Sequence, residues 1–378
     1  MAAPAGATNY IEITADKTKL AASMPDAGNT FAADLVIDQA AAINYEGGAA
    51  TFIDGLLAGC TDLKVTDPTG AVNVPFGVKQ FSQVAGTRKL ILGLGIPTGY
   101  PLSNAADTTY RLYRGCTGGT FENKAGVVPT ADGFVRYIPG EAVSPNVADW
   151  TANAGHLTPA AGLGVGAAKI GSGLAPTDDL HFASGADTNS VVPFTFQCWA
   201  KAGTGWQGAP GIDGRLAGIR LRRESPGHDN FYLLLDGNTS NKNVQSGYTG
   251  GAAVSTATNY LTLGAWYLIT ATVDAGLTHI LYVNGVVANS TVQSVAPDSS
   301  QACLLYIPHN GVAWETSLTD EMQVHSVARS GNWSLSYYNM TVANGAFWTV
   351  GAEQACPVGG IRRFNPGLWT PGTNPGVM

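Results

Sequence analysis

Residues 264–291, GAWYLITATVDAGLTHILYVNGVVANST, constrain the fold of this chain more than any other stretch. From Trp266 to Val273 the side chains alternate. Tyr267, Ile269, Ala271 and Val273 fall on one side, and Trp266, Leu268, Thr270 and Thr272 on the other. Alternation of β-branched and aromatic residues at period two is the pattern of a strand in a sheet. Asp274-Ala275-Gly276 turns the chain, His279 to Val283 rises again, and Asn284-Gly285 turns it once more before Val286 to Asn289 returns. Asn-Gly between apolar runs predicts a type I′ hairpin, because both central residues need positive φ. The stretch therefore reads as a three-stranded meander.

The rest of the chain repeats this texture. Short apolar runs lie between Gly, Pro, Asn, Asp and Thr clusters, and only 12% of the 378 residues are charged, too few for many solvated helices. The fold class expected is all-β. The length points to more than one domain. No apolar run approaches the ~20 residues of a membrane span. A net charge of −7 argues against nucleic acid, whose phosphates call for clustered Lys and Arg. Arg220, Arg222 and Arg223 come nearest to such a cluster, and strand spacing puts the first two on one face, read as solvated.

The beginning, MAAPAGATNYIEI, has neither the basic residues nor the apolar core of a secretory signal. Five cysteines, Cys60, Cys116, Cys198, Cys303 and Cys356, are odd in number and lack metal-ligand spacing. Cys60 with Cys116, or Cys198 with Cys303, would sit on neighbouring strands if paired. Buried free thiols are the favoured reading, and suit folding in a reducing cytoplasm.

Four segments follow from the pattern. Residues 1–116 form an N-terminal β-sandwich, 117–146 a Gly/Pro/Ala-rich connector, 147–353 a second sandwich, and 354–378 an extended arm. The first has candidate strands near 10–14, 30–37, 62–67, 72–78, 89–96 and 109–113, with a short apolar segment at 51–57. The connector's Phe121, Phe134 and Tyr137 suggest that it lies against a surface. In the second sandwich Phe194 to Lys201, Arg215 to Arg222, Asn230 to Leu235, Gln301 to Ile307 and Thr319 to His325 join the meander. Ser330 is placed to cap a helix carrying Trp333, Tyr337 and Tyr338. The arm, with Ile361, Phe364, Leu368 and Trp369 among its Gly and Pro, is read as docking on a neighbouring chain.

Three motifs of the second sandwich carry a resemblance. Its entry holds Asp149 to Asn153, Lys169-Ile170-Gly171, Asp178-Asp179-Leu180 and Phe182; its centre holds LYVNG; its exit runs from Thr319-Asp320-Glu321-Met322 through Ala328-Arg329-Ser330 to Glu353. In this order they resemble a concanavalin A-like (laminin-G-like) jelly-roll domain. Asp62 to Gly70, Gly93 to Pro97 and Tyr110 to Gly115 are similar to a β-domain of unknown function found ahead of such domains in bacterial and phage surface proteins, although Arg114 stands where that family has a second Tyr. The N-terminal resemblance implies a structural or adhesive module.

The concanavalin A-like fold hosts both lectins and glycan hydrolases. Its hydrolytic families carry E-x-D-x-x-E on one strand, with the carboxylates aimed into a cleft. Here Glu224, Glu315, Glu321 and Glu353 stand outside any such pattern, no G-x-S-x-G elbow is present, and the Gly-rich run 162–173 lacks phosphate-loop spacing. The chain is therefore expected not to be an enzyme. His279 and His325 are read as packing or surface residues. The resemblance implies a structural Ca²⁺ near the Asp of the last strand, here Asp320, with Asp178 or Asp179 as partners; no cofactor is expected to be required beyond it.

Sugar binding calls for an aromatic face and fixed polar groups. Loop 203–214 offers Trp206 and Asp213, loop 225–230 offers His228 and Asp229, and loop 308–316 offers His309, Asn310 and Trp314 with Glu315. Aromatic residues among Gly and polar neighbours mark binding surfaces, for glycan or for protein. An adhesive fold without a secretion signal suits a phage virion protein, assembled in the host cytoplasm and released by lysis. The expectation is a capsid decoration, head-fibre or tail-associated protein. Its partners would be other capsid or tail proteins, further copies of itself and a host surface polysaccharide. A bacterial cell-surface adhesin and a glycan hydrolase are the alternatives.

Overall fold

The structure, a computed structural model, describes residues 3–24, 30–142, 146–159, 163–176, 183–184, 191–203, 215–222, 229–236, 242–298, 303–306 and 317–356. It is predominantly β, in several antiparallel sheets. The first part runs β1 (Asn9–Ala15), β2 (Phe31–Asp38), α1 (Ala49–Asp54), β3 (Lys64–Thr66), β4 (Phe76–Ser82), β5 (Lys89–Ile96) and β6 (Thr108–Arg114). The apolar segment at 51–57 is thus largely helix. A short apolar run does not distinguish a buried strand from a buried helical turn, and Phe52 and Ile53 are core residues either way.

Next come α2 (Lys124–Val127), β7 (Phe134–Ile138), β8 (Leu157–Thr158), β9 (Leu163–Ala167), β10 (Ser172–Pro176), β11 (Ala183–Ser184) and β12 (Phe194–Lys201). They are followed by β13 (Arg215–Arg222), β14 (Asp229–Asp236), β15 (Asn243–Gly247), β16 (Val254–Ser255), β17 (Trp266–Val273), β18 (Thr278–Val283) and β19 (Val286–Val292). The last elements are β20 (Leu304–Tyr306), β21 (Leu318–His325), α3 (Gly331–Val342), α4 (Asn344–Phe347), β22 (Trp348–Val350) and β23 (Gln354–Ala355).

The meander is present in the register its sequence dictates. Ile269 pairs with Val283 and Val273 with His279 across β17 and β18, and Val283 pairs with Val286 across the hairpin. Asn284 and Gly285 have φ of 54° and 78°, as the tight turn requires. β17 sits inside an eight-stranded sheet of order β19-β18-β17-β12-β21-β10-β9, with β7 added along β21. A five-stranded sheet of order β16-β15-β14-β13-β20 packs against it. Tyr267, Ile269, Ala271 and Val273 join Phe194, Phe196, Cys198 and Ala200 in the core between the two sheets. Phe231 of the smaller sheet stacks on Phe196 with ring centroids 4.5 Å apart.

The other face of the large sheet is buried too. Leu268 and Trp199 belong to a second core with Trp333 and Tyr337 of α3 and the interior of the first part. Two polar residues of this face meet each other and α3. Thr270 Oγ1 donates to Gln197 Oε1 at 2.9 Å and lies 2.9 Å from Ser334 Oγ of α3. The cap predicted for this helix forms: Ser330 Oγ accepts from the Trp333 N–H at 3.1 Å.

The first part is built of two further sheets, of order β2-β5-β4 and β22-β1-β6-β3. β22 and β23 come from the far end of the sequence and pair with β1, Ile13 opposite Val350 and Tyr10 opposite Gln354. Edge strand β2 exposes a row of backbone groups that side chains cover. Asn344 Nδ2 and Trp348 Nε1 donate to Asp34 O, Asn344 Oδ1 accepts from Val36 N, and Asn44 Nδ2 donates to Val36 O. An unpaired buried amide or carbonyl is costly, so these contacts fix the end of α3 against the first part.

Cys60, Cys116, Cys198 and Cys303 are buried and Cys356 partly so, and Cys60, Cys116, Cys198 and Cys356 are free thiols. No helix among the described residues is long and apolar enough to cross a membrane.

Candidate functional site

Of the residues nominated for glycan contact, Trp206, Asp213, His228, His309, Asn310 and Trp314 lie outside the described residues. Asp229 is described through its backbone, as the first residue of β14, opposite Arg222. The strands that bracket these loops are described, and they decide which loops leave the sandwich together. Lys201 at the end of β12 pairs with Leu318 at the start of β21, and Gly203 N donates to Ser317 Oγ at 3.2 Å. The loops beginning at 204 and ending at 316 therefore attach at the same end of the large sheet. Arg215, where the first of them re-enters, opens β13. Arg222 and Asp229, which flank 223–228, lie at the other end of β13, seven residues or roughly 23 Å away at strand rise. The segment holding Trp206 is thus flanked by Lys201 and Arg215, and the segment holding Trp314 enters β21 beside Lys201 but leaves β20 at Tyr306, opposite Arg220. The segment holding His228 is flanked by Arg222 and Asp229 at the far end of β13.

Asp320, nominated for calcium, is fully buried. Its Oδ2 accepts from the Ile170 N–H and its Oδ1 from the Glu321 N–H, each at 2.9 Å. Burial, followed by the neighbouring Glu321 carboxylate, pushes its carboxyl well above the ordinary range, which opposes the ionised form a Ca²⁺ ligand needs. Asp178 and Asp179 lie outside the described residues. Among the described residues no three His, Cys, Asp or Glu side chains stand together as a metal site. The described part of the site therefore does not fit Ca²⁺ by itself, and any such site would draw its remaining ligands from residues 177–182 or beyond.

Next to Asp320 the structure assembles a cluster that sequence spacing does not reveal. Lys79 of β4 forms ion pairs with Asp34 of β2 (2.6 Å) and with Glu321 of β21. Its ammonium also donates to Tyr137 Oη of β7 at 2.8 Å. Tyr137 in turn donates to Glu321, and Tyr337 of α3 donates to Asp34 Oδ2 at 3.2 Å. The side chains of Lys79 and Glu321 are wholly enclosed.

Electrostatics follow from this enclosure. Burial alone would lower the Lys79 pKa, but Asp34 and Glu321 outweigh it and hold the ammonium above its ordinary value. Burial and then Asp34 push Glu321 up to about 8 against the pull of Lys79, since two carboxylates share one cation. Burial also lifts the Tyr137 and Tyr337 hydroxyls well above 10. At the rim, Glu141 accepts from Gln80 Nε2 at 3.1 Å, and burial raises it to about 7. Such a cluster has acid, base and hydroxyl groups in contact, yet no open surface from which a substrate would meet them. It ties β2, β4, β7, β21 and α3 to one point.

The two histidines have packing roles. His279 lies 3.0 Å from Ser246 Oγ between the two sandwich sheets, and burial lowers it to about 4. His325 packs on Phe134 and accepts from the Arg329 guanidinium; burial, and then that charge, keep it well below the usual histidine range.

Residues 175–333 match the family model of the concanavalin A-like lectin/glucanases superfamily. This segment is similar to a concanavalin A-like domain. It contains the meander, both sandwich sheets' central strands and the first turn of α3. Solved structures similar to the chain include domain 4 of AbnA, a GH43 extracellular arabinanase from Geobacillus stearothermophilus, in complex with arabinotriose. It is 18% identical, with 51% of this chain and 93% of that one covered and a TM-score of 0.40. The binding domain of Paraclostridial Mosquitocidal Protein 1 is 14% identical, covering 55% and 52%, with a TM-score of 0.40. Trypanosoma rangeli sialidase in complex with the inhibitor DANA is 11% identical, covering 54% and 32%, with a TM-score of 0.36. The chain spans about half the length of the second of these and about a third of the third. No curated protein matches the sequence.

Proposed function

We propose that this chain is a non-catalytic virion surface protein, a capsid decoration, head-fibre or tail-associated component, that presents its concanavalin A-like domain to host surface polysaccharide. The observation that carries the non-catalytic part is the closure of the large sheet's second face. Glu321, Gln197 and Thr270 project from that face, and α3, β2 and β4 cover it. Its acidic group is engaged by Lys79 and Tyr137 rather than facing a cleft. The region that favours a large polar ligand is the end of the sandwich from which segment 204–214 leaves and at which segment 307–316 re-enters, the two segments that hold Trp206 and Trp314 in the sequence. Aromatic faces flanked by Asp, His and Asn suit pyranose rings.

The test is binding of the purified full chain to a panel of bacterial surface polysaccharides, with and without EDTA, beside Trp206→Ala and Trp314→Ala. Saturable binding that either substitution abolishes supports the lectin reading, and EDTA sensitivity adds calcium to it. Absence of binding by folded protein rejects it and leaves the domain as scaffold. Release of reducing ends from any polysaccharide refutes the non-catalytic assignment. Mass spectrometry of purified particles tests the location. A chain absent from particles and recovered in the envelope of uninfected cells is an adhesin instead.

A further inference from the structure

The cover over the second face of the large sheet stops one row short of its end. Trp199 and Leu268 pair across β12 and β17 and are buried. Two residues further along, Lys201 and Trp266 pair on the same face and are only half-buried, with Lys201 Nζ 5.9 Å from the Trp266 ring centroid. Two other elements reach this place. Lys169, in the turn between β9 and β10, holds its Nζ 5.1 Å from the Trp199 ring centroid, and Tyr338 of α3 stacks on the same indole with centroids 5.8 Å apart. Burial, and then the hydroxyls of Tyr267 and Tyr338, raise the Tyr260 hydroxyl, which puts this 43% exposed ring beside Tyr338.

The two ammonium groups are the unusual feature of this patch. Among the described residues neither Lys169 nor Lys201 forms an ion pair, although the chain carries a net −7. Asp320 anchors the Lys169 turn through the Ile170 N–H at 2.9 Å and does not pair with the lysine. Burial lowers the Lys169 ammonium below its ordinary value with no carboxylate to offset it. Charges removed from water are normally paired, and a ring face is a weaker partner than a carboxylate.

We propose that this patch docks an acidic peptide segment of a partner protein, its Asp or Glu side chains on Lys169 and Lys201 and its apolar side chains on Trp266 and Tyr338. Charge complementarity selects an anionic occupant, and the rings select one with apolar groups beside its charges. Aromatic residues are enriched at protein interfaces. A sugar is the poorer fit, because its hydroxyls are read by Asp, Asn or His, whereas ammonium groups and rings meet here. Two lysines are also too few to neutralise a run of nucleic-acid phosphates.

The experiment is fluorescence anisotropy of a labelled copolymer of L-glutamate and L-tyrosine with the full chain, beside Lys169→Glu, Lys201→Glu and Lys64→Glu. Lys64, on β3 of the first part, is the control for net charge. Thermal unfolding verifies that the variants keep the wild-type fold. The expected result is saturable binding by the wild type, weakened about tenfold or more by each of the first two substitutions and less than about twofold by the third. Salt should weaken it as well. A folded wild-type chain that ignores the copolymer, variants at 169 and 201 that bind it undiminished, binding indifferent to salt, or an equal loss in Lys64→Glu would each overturn the inference. So would polygalacturonate displacing the copolymer more strongly than polyglutamate at equal charge, which would assign the patch to an acidic glycan.

Discussion

Lys79 and Glu321 form an ion pair between strands that lie 242 positions apart, and neither side chain has any exposed surface. Taking both charges out of water costs several kcal/mol each, and the pair stands because Asp34, Tyr137 and Tyr337 complete its hydrogen bonds. Removing one partner is therefore far worse than removing several. Lys79→Met should destabilise the chain by about 3–5 kcal/mol, read from urea unfolding, because two buried carboxylates lose their cation. Adding Glu321→Gln to Lys79→Met should recover part of that loss. A second substitution that adds its full single-mutant cost would show the pair to be uncoupled.

Glu141 and His279 act in opposite directions on the pH dependence of stability. Glu141 is raised from 4.5 to about 7 by burial, so the folded chain binds its proton where the unfolded chain does not. Its contribution is full below about 4.5 and fades as pH rises through 7. His279 is lowered from 6.5 to about 4 by burial, so its contribution is full above 6.5 and fades as pH falls through 4. Glu141→Gln should make the slope of stability against pH more positive between 4.5 and 7. His279→Gln should make it more negative between 4 and 6.5. Unfolding free energies measured at pH intervals across both windows test each sign.

Gly285 has φ of 78°, and a Cβ there would come 2.4 Å from Leu335 Cα. Gly285→Ala should cost about 2 kcal/mol or more in unfolding free energy, through backbone strain and through displacement of α3 from the hairpin. Asn284→Ala should cost less, about 1 kcal/mol, from the loss of the 3.0 Å hydrogen bond from Leu268 N to Asn284 Oδ1 and from the φ of 54° that Ala adopts less readily than Asn, with no clash against α3. Equal costs for the two would mean that α3 does not bear on the turn.

Local pattern reached the parts of the molecule that local forces decide. β17, β13 and β5 have the bounds read from alternation, and Asn284-Gly285 and Ser330 act as their backbone chemistry predicts. The burial of Thr270 and Gln197 was not legible, because their polarity suggests a wet face and is cancelled only by each other and by Ser334. Nor was the Lys79 cluster, since the strand read at 72–78 stops short of Lys79, whereas β4 runs from Phe76 to Ser82. The connector's aromatics pointed toward a surface, and Phe134 and Tyr137 turn out to lie on β7, paired with β21. Where Trp206 and Trp314 point depends on loop conformation, which periodicity does not encode.

The pairing of β1 with β22 and β23 has a consequence for how the chain comes into being. Tyr10 Oη donates to Gln354 at 2.6 Å across 344 positions of sequence. On a ribosome, Tyr10 emerges 344 residues ahead of its outer partner Gln354. Until then one side of β1 is a bare template. A nascent chain in this state is vulnerable to wrong pairing, and non-local contacts of this kind form slowly. Stalled or prematurely terminated translation should therefore yield aggregates rather than a folded first half.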